Sequence, residues 1–299
     1  MARRDYWQEE ARAAEVLAAK KIFALPVDPF SIAKAEGIAC QKLTGLGLSG
    51  CLCAAGNEFG IFYNDSVASE GFRRFTVAHE LGHYFLPGHY KHIFADGKSK
   101  HVSEVGYSSD DPFERSADAF AAALLMPPAP FKSACARVAT GLTTVETLAE
   151  ECVTSLTSTA IRYADLSDDS VAVVGSKNNR VQFAFMSDQF KRMPNLTWLK
   201  KGSGIPRETA TYKFNGDPTN ITQSRRVKSS SLVDVWFDCG GTFYVNEEVV
   251  GLGPSYGLTL TILVAEPRSD SDYEDDGSEE QDLENMLPSD RWGRPREDY

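Results

Sequence analysis

The chain has 299 residues, 42% hydrophobic and 24% charged, with a formal net charge of −11 at pH 7. That length accommodates about two domains. No stretch approaches the roughly 20 apolar residues of a membrane span, and residues 1–21 mix charges among alanines without an apolar signal core, so the expectation is a soluble cytoplasmic protein with no membrane partner.

In chain order, Asp5 and Gln8 have capping-box spacing, and the Ala-rich run that follows predicts a first helix to Phe23, stopped by Leu25-Pro26. A second short helix should begin near Pro29 and end at Gly37, before a strand at Ile38-Ala39-Cys40. Leu48–Cys53 and Phe59–Tyr63 read as two more strands of a small antiparallel sheet. Ser69–Leu86 is helical and apolar nearly all round, which predicts a helix inside its domain. Residues 90–111 read as irregular. Asp111-Pro112 then starts a helix to Met126, and residues 143–166 read as two short helices around Val153-Thr154. Beyond Ser170 the texture is β, with strands expected at Val171–Gly175, Arg180–Phe185, Leu232–Phe237, Thr242–Val245 and Leu258–Val264. The six cysteines lack framework spacing and read as reduced thiols, Cys51 and Cys53 as same-face strand neighbours.

Charge is unevenly spread. Residues 268–299 hold twelve Asp/Glu against four Arg and too few apolar residues to fold, so disorder is expected there. Residues 188–230 are basic, with nine Lys/Arg against three acids. The organisation that follows is 1–142, 143–166, 167–267 and an acidic tail at 268–299.

Within the predicted buried helix, His79-Glu80-Leu81-Gly82-His83 spells His-Glu-x-x-His. Two histidines four apart project from one helical face and can share a tetrahedral metal, while Glu80, one residue round, faces the open coordination position. The competing reading, a pair of core histidines, would leave Glu80 buried and unpaired at a heavy desolvation cost. A catalytic zinc site needs a third protein ligand. Glu114 and Asp118 share one face of the next long helix and suit a metal carboxylate with an acid that orients a ligand histidine. Asp111-Pro112-Phe113-Glu114 is also a capping box, and for that stretch alone capping is the stronger reading. His89, His92, His101 and Tyr107 lie between the two helices; His101 and Tyr107 are candidate oxyanion stabilisers, with surface or structural roles favoured for all four.

The words around these residues change the balance. Arg74-Phe75-Thr76-Val77-Ala78-His79-Glu80-Leu81-Gly82-His83, followed by Glu114-Arg115-Ser116-Ala117-Asp118-Ala119-Phe120-Ala121-Ala122-Ala123-Leu124-Leu125-Met126-Pro127, closely resembles the ImmA/IrrE family of zinc metallopeptidases. The resemblance covers roughly residues 5–165. It implies an α+β fold: a zincin-like domain with its active-site helix on a small sheet, then a helix-turn-helix-like element at 143–166. A β-rich domain, GAF-like in longer members, follows by position and texture alone. It implies zinc ligands at His79, His83 and Glu114 and a catalytic Glu80. Asp118 stands where the family usually has Asn, which keeps a hydrogen-bonding role but adds charge.

The activity so implied is zinc-dependent endopeptidase cleavage of a cytosolic protein, an XRE-type helix-turn-helix repressor, releasing stress or mobile-element genes. The alternative is a non-proteolytic regulator that sequesters a repressor or binds DNA. Residues 143–166 carry Glu146, Glu150, Glu151 and Asp165 against Arg162 alone, which weighs against direct DNA binding.

Overall fold

The computed structural model describes residues 6–44, 49–65, 69–103, 111–241 and 243–265. The Asp5 cap, Tyr107 and the acidic stretch 268–299 lie outside the described residues.

Helix α1 (Trp7–Ala19) ends short of the predicted Phe23, because Lys21 turns to φ +56 and leaves the helical region. Asp28 accepts from the Phe30 N–H, and Pro29 fills the first position of α2 (Pro29–Ala35). Strands β1 (Ala39–Leu43), β2 (Gly50–Ala55) and β3 (Glu58–Asn64) lead into α3 (Glu70–Phe85), capped by Ser69. Between α3 and α5 (Pro112–Leu125) the expectation of irregular chain fails. A short helix α4 (His89–Ile93) and a strand β4 (Lys100–Ser103) form there, both too short to leave a periodic signal. The sheet order is β1-β3-β2-β4, with the predicted antiparallel pairing for β2 and one parallel pair, β1 with β3.

This sheet lies on α3, the predicted interior helix, whose residues from Arg74 to His83 are all buried. Helix α5 crosses α3 at Gly82, where an added Cβ would sit 3.1 Å from the Ala117 Cα. Glycine permits that approach, and the Phe120 ring of α5 packs at the same point, fully buried and contributing on the order of 1.5–3 kcal/mol. The close crossing brings the start of α5 up to the two histidines of α3.

Helices α6 (Pro128–Cys135), α7 (Leu142–Cys152) and α8 (Leu156–Leu166) follow, with Val153 at φ +53 in the turn where two helices were expected to meet. That turn presses on α3: a Cβ at Gly71 would lie 2.5 Å from the Thr154 carbonyl carbon. Helix α8 is buried from Ser158 to Ala164.

Beyond it, β5 (Val171–Lys177), β6 (Arg180–Met186), the short helices α9 (Asp188–Lys191), α10 (Ala210–Asn215) and α11 (Pro218–Thr222), β7 (Arg226–Leu232), α12 (Val233–Phe237), β8 (Tyr244–Gly251), α13 (Gly253–Tyr256) and β9 (Thr259–Ala265) complete the chain in order. The five strands form one antiparallel sheet, β6-β5-β9-β8-β7. Its alternation is clean. Val171 and Val173 join the core shared with α7 and α8, while Ala172 and Val174 face a second core with Phe190, Trp236 and Phe237. Leu232–Phe237, expected as a strand, is mostly helix. Val233, Trp236 and Phe237 are buried at helical spacing, and the neighbouring strand is the upstream run Arg226–Leu232. Several charges of the basic segment are neutralised locally: Arg226 grips Glu146 at 2.6 Å, Lys191 meets Asp188 at 2.8 Å, and Lys228 pairs with Glu248.

All six cysteines are free, and Cys51 and Cys53 lie on one face of β2 with Sγ atoms 3.4 Å apart, as their spacing predicted. Among the described residues no helix is long and apolar enough to cross a membrane.

Candidate functional site

Four residues apart on α3, His79 and His83 turn their Nε2 atoms toward one point, 3.1 Å from each other. Glu114 arrives from the first turn of α5, with Oε2 at 3.3 Å from His79 Nε2 and Oε1 at 3.2 Å from His83 Nε2. These three residues can hold a metal ion. A tetrahedral ion with ligand bonds of about 2.0–2.1 Å has edges of roughly 3.3–3.4 Å, so the spacing found here is nearly that of an occupied face. Two imidazoles and a carboxylate are a donor set zinc accepts.

The electrostatics point the same way. Burial alone would depress His79, but its hydrogen bonds to Asp118 and Glu114 outweigh it and raise its pKa to about 10. Burial prevails at His83, which falls to about 3. Glu114 resists its own burial and stays well below the usual carboxylate range because His101, His79 and His83 all face it. Two carboxylates thus draw one positive charge to a pocket that refuses to protonate the second imidazole. A divalent cation satisfies all four groups at once.

Asp118, one turn beyond Glu114, accepts from His79 Nδ1 at 2.8 Å. With one proton fixed on Nδ1, a cation can take the place of the second proton at Nε2. Asp111 caps α5 by accepting from the Phe113 N–H, while both oxygens of Glu114 face histidines, which removes the sequence's main objection to Glu114.

Glu80 is fully buried, and neither carboxylate oxygen has a hydrogen-bond partner among the described residues. Burial pushes its pKa up to about 7, against the pull of nearby His79; the Ser103 hydroxyl acts in the same direction as His79 without meeting hydrogen-bond geometry. Gly50, at the start of β2, makes the space. A Cβ there would lie 2.7 Å from Glu80 Oε1 and 2.5 Å from the Thr76 methyl. The sequence offered no sign of Gly50's part, since a glycine opening a strand is read first as punctuation.

The structure gathers the remaining histidines as well. His101, on β4, meets Glu114 Oε1 at 2.8 Å, and His89, at the start of α4, meets His83 Nδ1 at 3.2 Å. His92 stacks on Phe113 with ring centroids 3.8 Å apart. Of the surface or structural roles expected for His89 and His101, these contacts point to structural ones. The signal that could have found them is compositional: the chain's five histidines all fall between residues 79 and 101.

Residues 59–163 match the Peptidase_M78 family, described as the IrrE N-terminal-like domain. Among curated proteins no match is found. A solved structure described as a Mycobacterium tuberculosis transcriptional regulator is similar in fold, with a TM-score of 0.56 at 11% identity over 86% of this chain and 88% of that one.

Proposed function

From the premise that residues 59–163 are an IrrE N-terminal-like domain of the Peptidase_M78 family, we propose that this chain is a zinc-dependent endopeptidase, with His79, His83 and Glu114 as ligands and Glu80 as general base. The observation that carries the reading is the convergence of three ligand atoms beside a buried carboxylate with no hydrogen-bond partner among the described residues. A core histidine pair would not need Glu80 there. Zinc, when bound, supplies a Lewis acid that polarises the scissile carbonyl and makes water nucleophilic near neutral pH.

The protein's own residues do the rest. Glu80 accepts a proton from the attacking water on a carboxylate oxygen and returns it to the leaving amine nitrogen, so one peptide bond and one water become a carboxylate and an amine. Its raised pKa suits both halves of that exchange. Asp118 holds the His79 proton on Nδ1, and His101 steadies Glu114.

As substrate we propose a cytosolic XRE-type repressor whose cleavage releases stress or mobile-element genes; the support is the family resemblance. Direct DNA binding by the helix-turn-helix-like element fits poorly. Helix α8 is buried over most of its length, and its turn packs on α3 at Gly71. A reading helix needs a free face to enter the major groove. We retain 1–142, 143–166 and 167–267 as functional divisions, the last as GAF-like on the strength of its single five-stranded antiparallel sheet.

Metal analysis tests the ligand set. Purified full-length protein should bind about one zinc, Glu114→Ala should weaken the site strongly, and Asp118→Ala should weaken it less, by the roughly 10–100-fold typical of a residue behind a ligand. Zinc affinity in Glu114→Ala equal to wild type would remove Glu114 from the site.

A further inference from the structure

Of the two histidines on α3, only His79 has a carboxylate behind it among the described residues. His83 is fully buried, and an imidazole that offers Nε2 to a cation must carry its proton on Nδ1. That N–H needs an acceptor inside the protein. Among the described residues the atom in position is His89 Nδ1, at 3.2 Å.

His83 and His89 are six positions apart, a spacing that an uninterrupted helix would not bring face to face. The chain achieves it by ending α3 at Phe85 and reversing through Gly88, whose φ of +84 suits glycine far better than any residue with a side chain. His89 then opens α4, 5% exposed, with the Phe113 ring against it edge-on at 5.0 Å between centroids. Phe113 in turn directly precedes Glu114, so the residue that fixes the His89 ring sits next to the third ligand.

We propose that His89 is a positioning residue for the metal: it accepts the His83 Nδ1–H and so fixes that ligand's tautomer and ring plane, as Asp118 does for His79. The two supports differ in charge. Asp118 brings a negative charge to its histidine, whereas His89 acts as a neutral acceptor and leaves the net charge of the site unchanged. This rests on the zinc reading above, and the experiment separates the two.

Zinc dissociation constants, measured by chelator competition on the full-length chain, would be compared for wild type, His89→Phe and His89→Asn, alongside the visible spectrum of the cobalt-substituted proteins. Phe keeps a ring against Phe113 but places a C–H where the acceptor was. Asn carries its Oδ1 at the same remove from the backbone as the histidine Nδ1. The expected result is a 10–100-fold weaker zinc site and an altered cobalt spectrum in His89→Phe, with both largely restored in His89→Asn. Affinity and spectrum unchanged in His89→Phe would overturn the assignment, and so would equal losses in both variants, which would trace to packing. A wild-type chain that binds no zinc would overturn the zinc reading and this inference with it; normal wild-type binding with either contrary variant result would overturn this inference alone.

Discussion

Glu80→Gln is expected to bind zinc as the wild type does, fold as the wild type does, and lose peptide cleavage by about 10²–10⁴-fold. The substitution keeps the side chain's size in the space that Gly50 leaves for it, and removes only the basic oxygen. The wild-type carboxylate has no hydrogen-bond partner among the described residues, so no bond to them is lost with its charge. Burying an amide there should even be easier than burying a carboxylate, and thermal stability should be equal or slightly higher. Single-turnover cleavage of a repressor substrate, with metal content measured on the same samples, checks both halves. Loss of zinc together with activity would mean that Glu80 belongs to the metal site rather than to proton transfer.

The second large effect is expected at His79. It meets Glu114 through Nε2 and Asp118 through Nδ1, so His79→Ala removes a ligand and takes from Asp118 its histidine partner, leaving Glu114 facing His83 and His101. Zinc affinity and activity should both collapse. A ligand that binds only the folded state at 100 times its dissociation constant stabilises by about 2.7 kcal/mol, which for a chain of this size is a melting shift of roughly 4–5 °C. Chelation should therefore lower the melting temperature of the wild type by about that much and leave His79→Ala where it is. A wild type indifferent to chelation would show that the cluster is not coupled to a bound metal.

The parts of this site that the sequence exposed are those with a short-range rule behind them. A four-residue spacing on a helix puts His79 and His83 on one face whatever the rest of the chain does, and Glu114 and Asp118 obey the same rule on α5. The apolar surround of α3 announced its burial, and the turn at Val153-Thr154 announced two helices. What stayed hidden depends on contacts between distant segments. Gly50 serves Glu80 from a different element, His101 reaches Glu114 from a four-residue strand with no pattern of its own, and His89 faces His83 only because Gly88 reverses the chain. The helix at Val233–Phe237 hid for another reason. Its Val, Trp and Phe are favoured in strands, and burial at helical spacing against the second core overrode that preference.

The central claim is hydrolysis of a peptide bond by this chain. Its most direct test is intact-mass spectrometry of a purified XRE-type repressor incubated with the zinc-loaded full-length protein, with Glu80→Gln and chelated wild type as parallel arms. The account predicts two fragments whose masses sum to the repressor plus one water, appearing with the wild type and nearly absent from both other arms. An intact repressor that nevertheless leaves its promoter, equally with wild type and Glu80→Gln, would contradict it and make the protein a sequestering regulator.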